Sequence, residues 1–312
     1  MTQNSTEDQH FVPVCYLKKF SKEHGRNPKV YVYDKLGKSV RHIGVKSVCY
    51  CIRLYSINKE SEFLISDDII DKETIFESHY LHDFEQEYSE ELNRIINLIK
   101  AKTFSAEDKA YLSWFMALQI LRHPVIKEVC NTPEFQKILP PSPQNEYFSK
   151  VYDSTLSNDS ALMHFVLSYG DPHKLRKLAL SLAELEWTFI YTEEDGFFTS
   201  DYPVFMVPDE LEIYRERIKM GSYGDSYLLF PISKNILLSI KPFYQKGKVL
   251  LISNLSKEQR DRFNLIISVF AYKYVISSTE FDDGIKKILD ETPNVWDINK
   301  INIYGKTSNA NH

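Results

Sequence analysis

Trp187-Thr188-Phe189-Ile190-Tyr191-Thr192, then Glu193-Glu194-Asp195-Gly196, then Phe197-Phe198-Thr199-Ser200 marks the point where this chain changes character. Aromatic and β-branched runs flank a polar turn that ends in glycine, a pattern that predicts a β-hairpin. Downstream, short strands are expected at 227–230, 235–240 and 248–252. A last helix opens at Ser256, with Gln259 completing a capping box, and runs to about Val275. Upstream, helical periodicity dominates. Helices gathered in one half and strands in the other predict an α+β fold rather than βαβ alternation.

Toward the N-terminus, Pro13 suits the first turn of a short helix carrying Cys15, Tyr16, Leu17 and Phe20. Val30-Tyr31-Val32-Tyr33-Asp34 and the turn Lys35-Leu36-Gly37-Lys38 predict a hairpin, and β character continues over 46–57. Two long helices are expected at 72–100 and 105–122, joined by a short loop and therefore an antiparallel pair. The strands after Trp187 should form one mainly antiparallel sheet against that pair, with a closing helix. Residues 1–9 and 306–312 read as polar tails, leaving 10–305 as one unit. Four prolines between 131 and 144 mark the best place for a subdivision.

The chain has 312 residues, 43% of them hydrophobic, and a formal net charge of −5. An acidic balance argues against a protein that coats nucleic acid. Contact with a nucleic acid or nucleotide would then run through a local basic patch, the candidates being His173, Lys174, Arg176 and Lys177, or Arg215, Arg217 and Lys219. Of the four cysteines, Cys49 and Cys51 form a C-x-C pair expected on one face of a strand, and no zinc-type spacing is present. The polar start is unlike a signal peptide. The apolar stretch 265–271 is far short of the ~20 residues that span a bilayer. The expectation is a cytoplasmic protein with no membrane segment. Dinucleotide, Walker, zincin and nucleophile-elbow motifs are missing from the sequence.

Polar residues on apolar faces are the best pointers to a site. Leu81, Glu85, Tyr88, Leu92, Ile95 and Ile99 share one helical stripe, so Glu85 stands where the core should be. In the next helix Gln119 and Arg122 lie together on an otherwise apolar surface, and a buried Arg calls for an anion or carboxylate. His10 precedes the apolar Phe11-Val12-Pro13. Ser200 and Asp201 end a strand before a proline turn. Asn264 sits on a nearly all-apolar helix, where a buried Asn bridging backbone groups is the plain expectation. His79, His82 and Glu85 offer metal-binding types, though His79 lies on the outer side.

The order of these motifs resembles a bacterial family known only as domain of unknown function 4238. His10-Phe11-Val12-Pro13 with Tyr16-Leu17 and Phe20 is similar to its opening motif. Gln119 to Pro124, Thr199-Ser200-Asp201-Tyr202-Pro203, Phe230-Pro231-Ile232-Ser233 and Asn264 continue the resemblance, and Glu85 best fits its helical glutamate. The resemblance implies one family unit over about 10–278 and carries no established activity.

Two functional expectations follow. In the first, Asp201 and Glu85 hold Mg or Mn, His10 acts as general base or acid, and Arg122 stabilises charge on a phosphate, giving a metal-assisted hydrolase or nuclease. In the second, the same residues form a buried polar lock, and the protein is a non-enzymatic interaction partner, for which a bacterial defence or mobile-element module is a suitable setting.

Overall fold

The computed structural model describes residues 8–52, 82–123, 172–207, 228–241, 249–253 and 255–292. In chain order its elements begin with β1 (Asp8–His10), α1 (Val14–Leu17), β2 (Lys29–Asp34), β3 (Ser39–Gly44), β4 (Tyr50–Ile52), α2 (His82–Ala101) and α3 (Ala106–Leu121). They continue with α4 (Pro172–Glu184), β5 (Glu186–Tyr191), β6 (Thr199–Ser200), β7 (Phe205–Met206) and β8 (Leu228–Ser233). The last are β9 (Ile236–Lys241), β10 (Val249–Ser253), α5 (Lys257–Phe270), β11 (Tyr274–Ser277) and α6 (Asp283–Glu291). The mixed content is α+β, as expected. The expected polar tail at 1–9 is corrected at its end, since Asp8 and Gln9 pair with β4 as part of β1 and Gln9 is buried; 1–7, the tail at 306–312 and the proline-rich 131–144 lie outside the described residues.

Two compact units divide the chain. The first takes Met1–Cys15, Val48–Asn97 and Glu107–Ala183; the second takes Tyr16–Ser47, Leu98–Ala106 and Glu184–His312. In the first unit, α2 and α3 run antiparallel. Tyr88, early in α2, stacks on Phe115, late in α3, with ring centroids 3.6 Å apart. Arg94, further along α2, reaches back to Asp108 at the start of α3 at 2.7 Å. Tyr88, Leu92, Ile95, Ile96 and Ile99 are buried while Arg94 is exposed, so the described part of the expected stripe faces inward. β1 pairs antiparallel with β4, His10 opposite Tyr50, and Phe11 N–H donates to the Cys49 carbonyl at 3.0 Å.

Cys49 itself has φ 57°, and a 3-10 turn covers Val45–Ser47. The expected strand over 46–57 is therefore corrected to one that begins at Tyr50, with Cys49 outside it; 53–57 lie outside the described residues.

The second unit holds two sheets, of order β10-β5-β9-β8-β7 and β3-β2-β11-β6. This corrects the single sheet expected after Trp187. The predicted hairpin of β5 with β6 does not form: β5 lies between β10 and β9, while β6 pairs with β11 in the other sheet. The reason lies in what the chain after the turn bonds to. Gly196 and Phe197 N–H both donate to the Lys234 carbonyl at 2.9 Å, and Phe198 N–H donates to Asn264. These partners draw the chain after the turn away from β5. The β5–β10 pair is parallel; the other pairs among the described strands are antiparallel.

The N-terminal β2–β3 hairpin forms as predicted but joins β11 and β6, so strands from both ends of the sequence share a sheet. Pro231 sits inside β8, where a proline removes a ladder donor. It is tolerated because the register shifts between Pro231 and Ser233, and β7 covers β8 only at Leu228 and Leu229. Phe197, Phe205, Leu229, Leu237, Phe263 and Ile267 belong to one buried core shared by the sheets and α5.

Ser256 and Gln259 cap α5 reciprocally, as the sequence suggests. The helix stops at Phe270, however, and Val275 lies in β11 rather than on the helix. The closing element is then α6, capped by the Asp282 side chain on Ile285 N–H.

Candidate functional site

The motif residues fall into both units. His10, Gln119, Arg122 and His123 belong to the first. Arg122 is 1% exposed, and its guanidinium donates to the His10 carbonyl oxygen. One turn earlier, the Gln119 side-chain amide donates to the Phe11 carbonyl at 2.7 Å. The His123 ring meets Phe11 edge-on, with centroids 5.1 Å apart. The end of α3 thus holds two consecutive carbonyls at the end of β1. These carbonyls face side-chain donors because the chain turns into α1 there instead of continuing the β1–β4 ladder. Sequence reasoning placed Gln119 and Arg122 on one edge correctly. It expected a carboxylate or anion at Arg122; one partner of its guanidinium is the backbone of the histidine motif, and the side chain of Glu85, the carboxylate expected nearby, lies outside the described residues. The His10 ring stands 5.8 Å from that of Tyr50. Glu85 lies in α2, with its side chain outside the described residues.

The second unit carries Ser200, Asp201 and Asn264. Asp201 follows β6, is 1% exposed, and uses both carboxylate oxygens on one loop. Oδ1 accepts Tyr272 N–H at 2.9 Å; Oδ2 accepts Lys273 N–H at 2.7 Å and Tyr274 N–H at 3.0 Å. Burial pushes its carboxyl up from the ordinary 3.8 to about 6, against the pull of those amides and of Lys35. Lys35 in turn donates to the carbonyls of Ser268 at 2.8 Å and Ala271 at 2.9 Å, capping the C-terminus of α5. Burial pulls the Lys35 amine down to about 8. Ser200 Oγ accepts Tyr202 N–H at 3.1 Å. Asn264 accepts Phe198 N–H at 2.9 Å and donates to the Gly196 carbonyl at 2.6 Å, the backbone bridge expected of a buried Asn.

Tyr16 ties the remaining motifs together. Its hydroxyl, fully buried, donates to the Pro231 carbonyl at 2.6 Å and lies 2.6 Å from Thr199 Oγ1. With its one proton on Pro231, Tyr16 must accept from Thr199. Three motifs distant in sequence thus meet at one phenol. Sequence reasoning had read Tyr16 only as an apolar face, and it missed Lys35 and the buried Lys109, whose amine donates to the Ala183 carbonyl at 3.4 Å. Local periodicity carries no signal for such helix-capping lysines, because their partners are remote in sequence.

The family model described as protein of unknown function (DUF4238) matches residues 8–281, which covers every motif just located. The chain belongs to the DUF4238 family. No curated protein and no solved structure matches it. Among the described residues no group of three or more His, Cys, Asp and Glu is placed to hold a metal ion. Among the same residues no helix is long and apolar enough to cross a membrane.

Proposed function

We propose that this DUF4238 member works by binding a partner, and that its motif residues are locks that fix the backbone for a surface to act. One observation carries this reading: Asp201, the motif acid, is almost fully buried and accepts three backbone amides. A metal-holding carboxylate needs open lone pairs facing a site that substrate can enter. The amides fill that role here, and they position the turn from α5 into β11. Arg122 and Gln119 act likewise with donors in place of acceptors.

The rival is the Mg- or Mn-assisted phosphate hydrolase, with Glu85 and Asp201 as ligands. Thermal melts with and without Mg²⁺ and Mn²⁺, together with cleavage assays on labelled oligonucleotides, separate the two. The expected result is a melting temperature that the metals leave unchanged, and no cleavage. A metal-dependent stabilisation that disappears in Asp201→Asn, with metal-dependent cleavage, would overturn the binding reading.

A further inference from the structure

Between residues 18 and 46 the chain carries nine lysines and arginines against two acids, in a protein whose formal net charge is −5. All lie in the second unit: Lys18 and Lys19 on the 3-10 turn after α1, the others on the turn before β2, on the β2–β3 hairpin and on the 3-10 turn after it. Lys22, Arg26, Lys29, Lys38, Arg41 and Lys46 are exposed.

The two acids are engaged in shaping the backbone. Glu23 Oε2 accepts Lys29 N–H at 2.8 Å. Asp34 Oδ1 accepts Leu36 N–H at 3.0 Å and Gly37 N–H at 2.9 Å. Their ion pairs are long: 3.9 Å from Glu23 to His42 and 4.0 Å from Asp34 to Arg41. Lys22, Arg26 and Lys29 have no ion pair among the described residues.

The basic turn is also held in shape. Ser21 Oγ donates to the Lys29 carbonyl at 2.6 Å and accepts Glu23 N–H at 3.0 Å. Asn27 Oδ1 accepts Lys46 N–H at 3.1 Å, and Val45 N–H donates to the Pro28 carbonyl at 3.0 Å, so the turn is fastened beside the end of β3. Edge strands carry charge to prevent further pairing. That accounts for Arg41 on β3 but not for Lys22, Arg26 and Lys46, which lie off the strand.

We infer that the β2–β3 hairpin and its basic turn form a docking surface for single-stranded nucleic acid, with the cations tracking the phosphates. The aromatic neighbours favour a nucleic acid over other polyanions. Tyr31 stacks on His42 with centroids 4.3 Å apart at 14°. Lys29 shares the face of that stack, whereas Arg41 and Lys273, 5.6 Å and 4.8 Å from the Tyr274 ring centroid, lie by the other face of the sheet and are not counted in the track. Planar stacks beside a cationic track are how bases and backbone are held together. A lipid surface calls for several exposed apolar side chains, and in this segment Leu36, 69% exposed, is the large one. The inference rests on reading the protein as a binder and names the partner class.

The test uses the full chain in EDTA, titrated into dye-labelled oligo-dT of about 20 nucleotides, its duplex, and phosphatidylserine vesicles, over salt from about 50 to 200 mM. Expected is binding to the single strand that weakens steeply with salt. In Lys22→Gln/Arg26→Gln/Lys29→Gln the affinity should fall at least about tenfold and the log–log salt slope should shrink by about two, as three phosphate contacts are lost. Lys22→Glu/Arg26→Glu should fall further, and it decides the matter if the triple variant does not fold. No binding at about 50 mM salt, binding to vesicles alone, or variants that bind like the wild type would each overturn the inference. Binding in EDTA followed by cleavage in Mg²⁺ would keep this surface and overturn the non-enzymatic reading instead. Absence of both binding and cleavage would do the reverse.

Discussion

In the first unit a guanidinium and a side-chain amide reach backbone carbonyls; in the second a carboxylate reaches backbone amides. Each arrangement fixes a loop next to a short strand, and each joins residues far apart in sequence. Their polarities are opposite, and so are their weaknesses. The donors on α3 are held at its C-terminal end, where the chain leaves the helix. Asp201 is surrounded by backbone that α5, β6 and β11 already order. A charged residue at a family motif position can therefore be a brace for the backbone, and which groups remain exposed is the better guide to a partner.

The first unit should be the easier to break. Arg122→Ala removes a buried charged donor, leaves the His10 carbonyl without that donor, and opens a void in a site 1% exposed. Together these should cost about 3–4 kcal/mol. Urea denaturation of wild type and variant reads it. A loss below about 1 kcal/mol would mean that the guanidinium is not a brace and would restore an anion-binding role.

Asp201 separates the units by pH. Its carboxyl titrates at about 6 in the folded protein against 3.8 ordinarily, so between these values the folded chain holds a proton that the unfolded chain has released. The stability from this group is fully present below 3.8 and is lost as pH rises through about 6. Asp201→Asn cannot titrate. Its amide also turns N–H donors toward at least one of the three backbone amides, so it should be less stable than wild type at pH 7. That gap should widen by up to about 3 kcal/mol on acidification to about pH 4. Comparison of the two proteins at both pH values cancels the groups they share. A gap that narrows at low pH would mean that the amides, not burial, dominate Asp201.

How much of this could be read in advance follows from the range of each interaction. The α2–α3 hairpin was legible because its stripe of Tyr88, Leu92, Ile95 and Ile99 and its short loop are local. So were the α5 capping box and the β2–β3 turn. The division of the C-terminal strands between two sheets was not, because it depends on Lys234 and Asn264 capturing the chain at 196–198. Arg122, Gln119, Asp201 and Asn264 stood out as polar residues where apolar ones belong. That signal marks a buried polar group; for Asn264 it also implied backbone partners, but it does not say which groups they are. The backbone groups that meet them bear no trace in the sequence. The cationic hairpin was overlooked for a different reason: whole-chain charge masks a local excess, and the positions weighed as basic patches lay elsewhere.

The smallest effect tests whether the basic turn is braced. Gly44 stands at the end of β3, where a Cβ would lie 2.3 Å from Asn27 Nδ2 and 2.6 Å from Oδ1. Its φ lies outside the left-handed region, so the requirement is space rather than backbone freedom. Gly44→Ala must push Asn27 aside and break its hydrogen bond to Lys46 N–H. Asn27 is exposed and can swing into water, so the cost should be only about 0.5–1 kcal/mol. Oligonucleotide affinity should drop a few-fold as Arg26 loses its fixed place, while the salt slope stays unchanged because no charge is removed. A changed slope with unchanged stability would show that the contacts lie elsewhere on the hairpin. Full affinity in Gly44→Ala would mean that the turn needs its charges but not its shape.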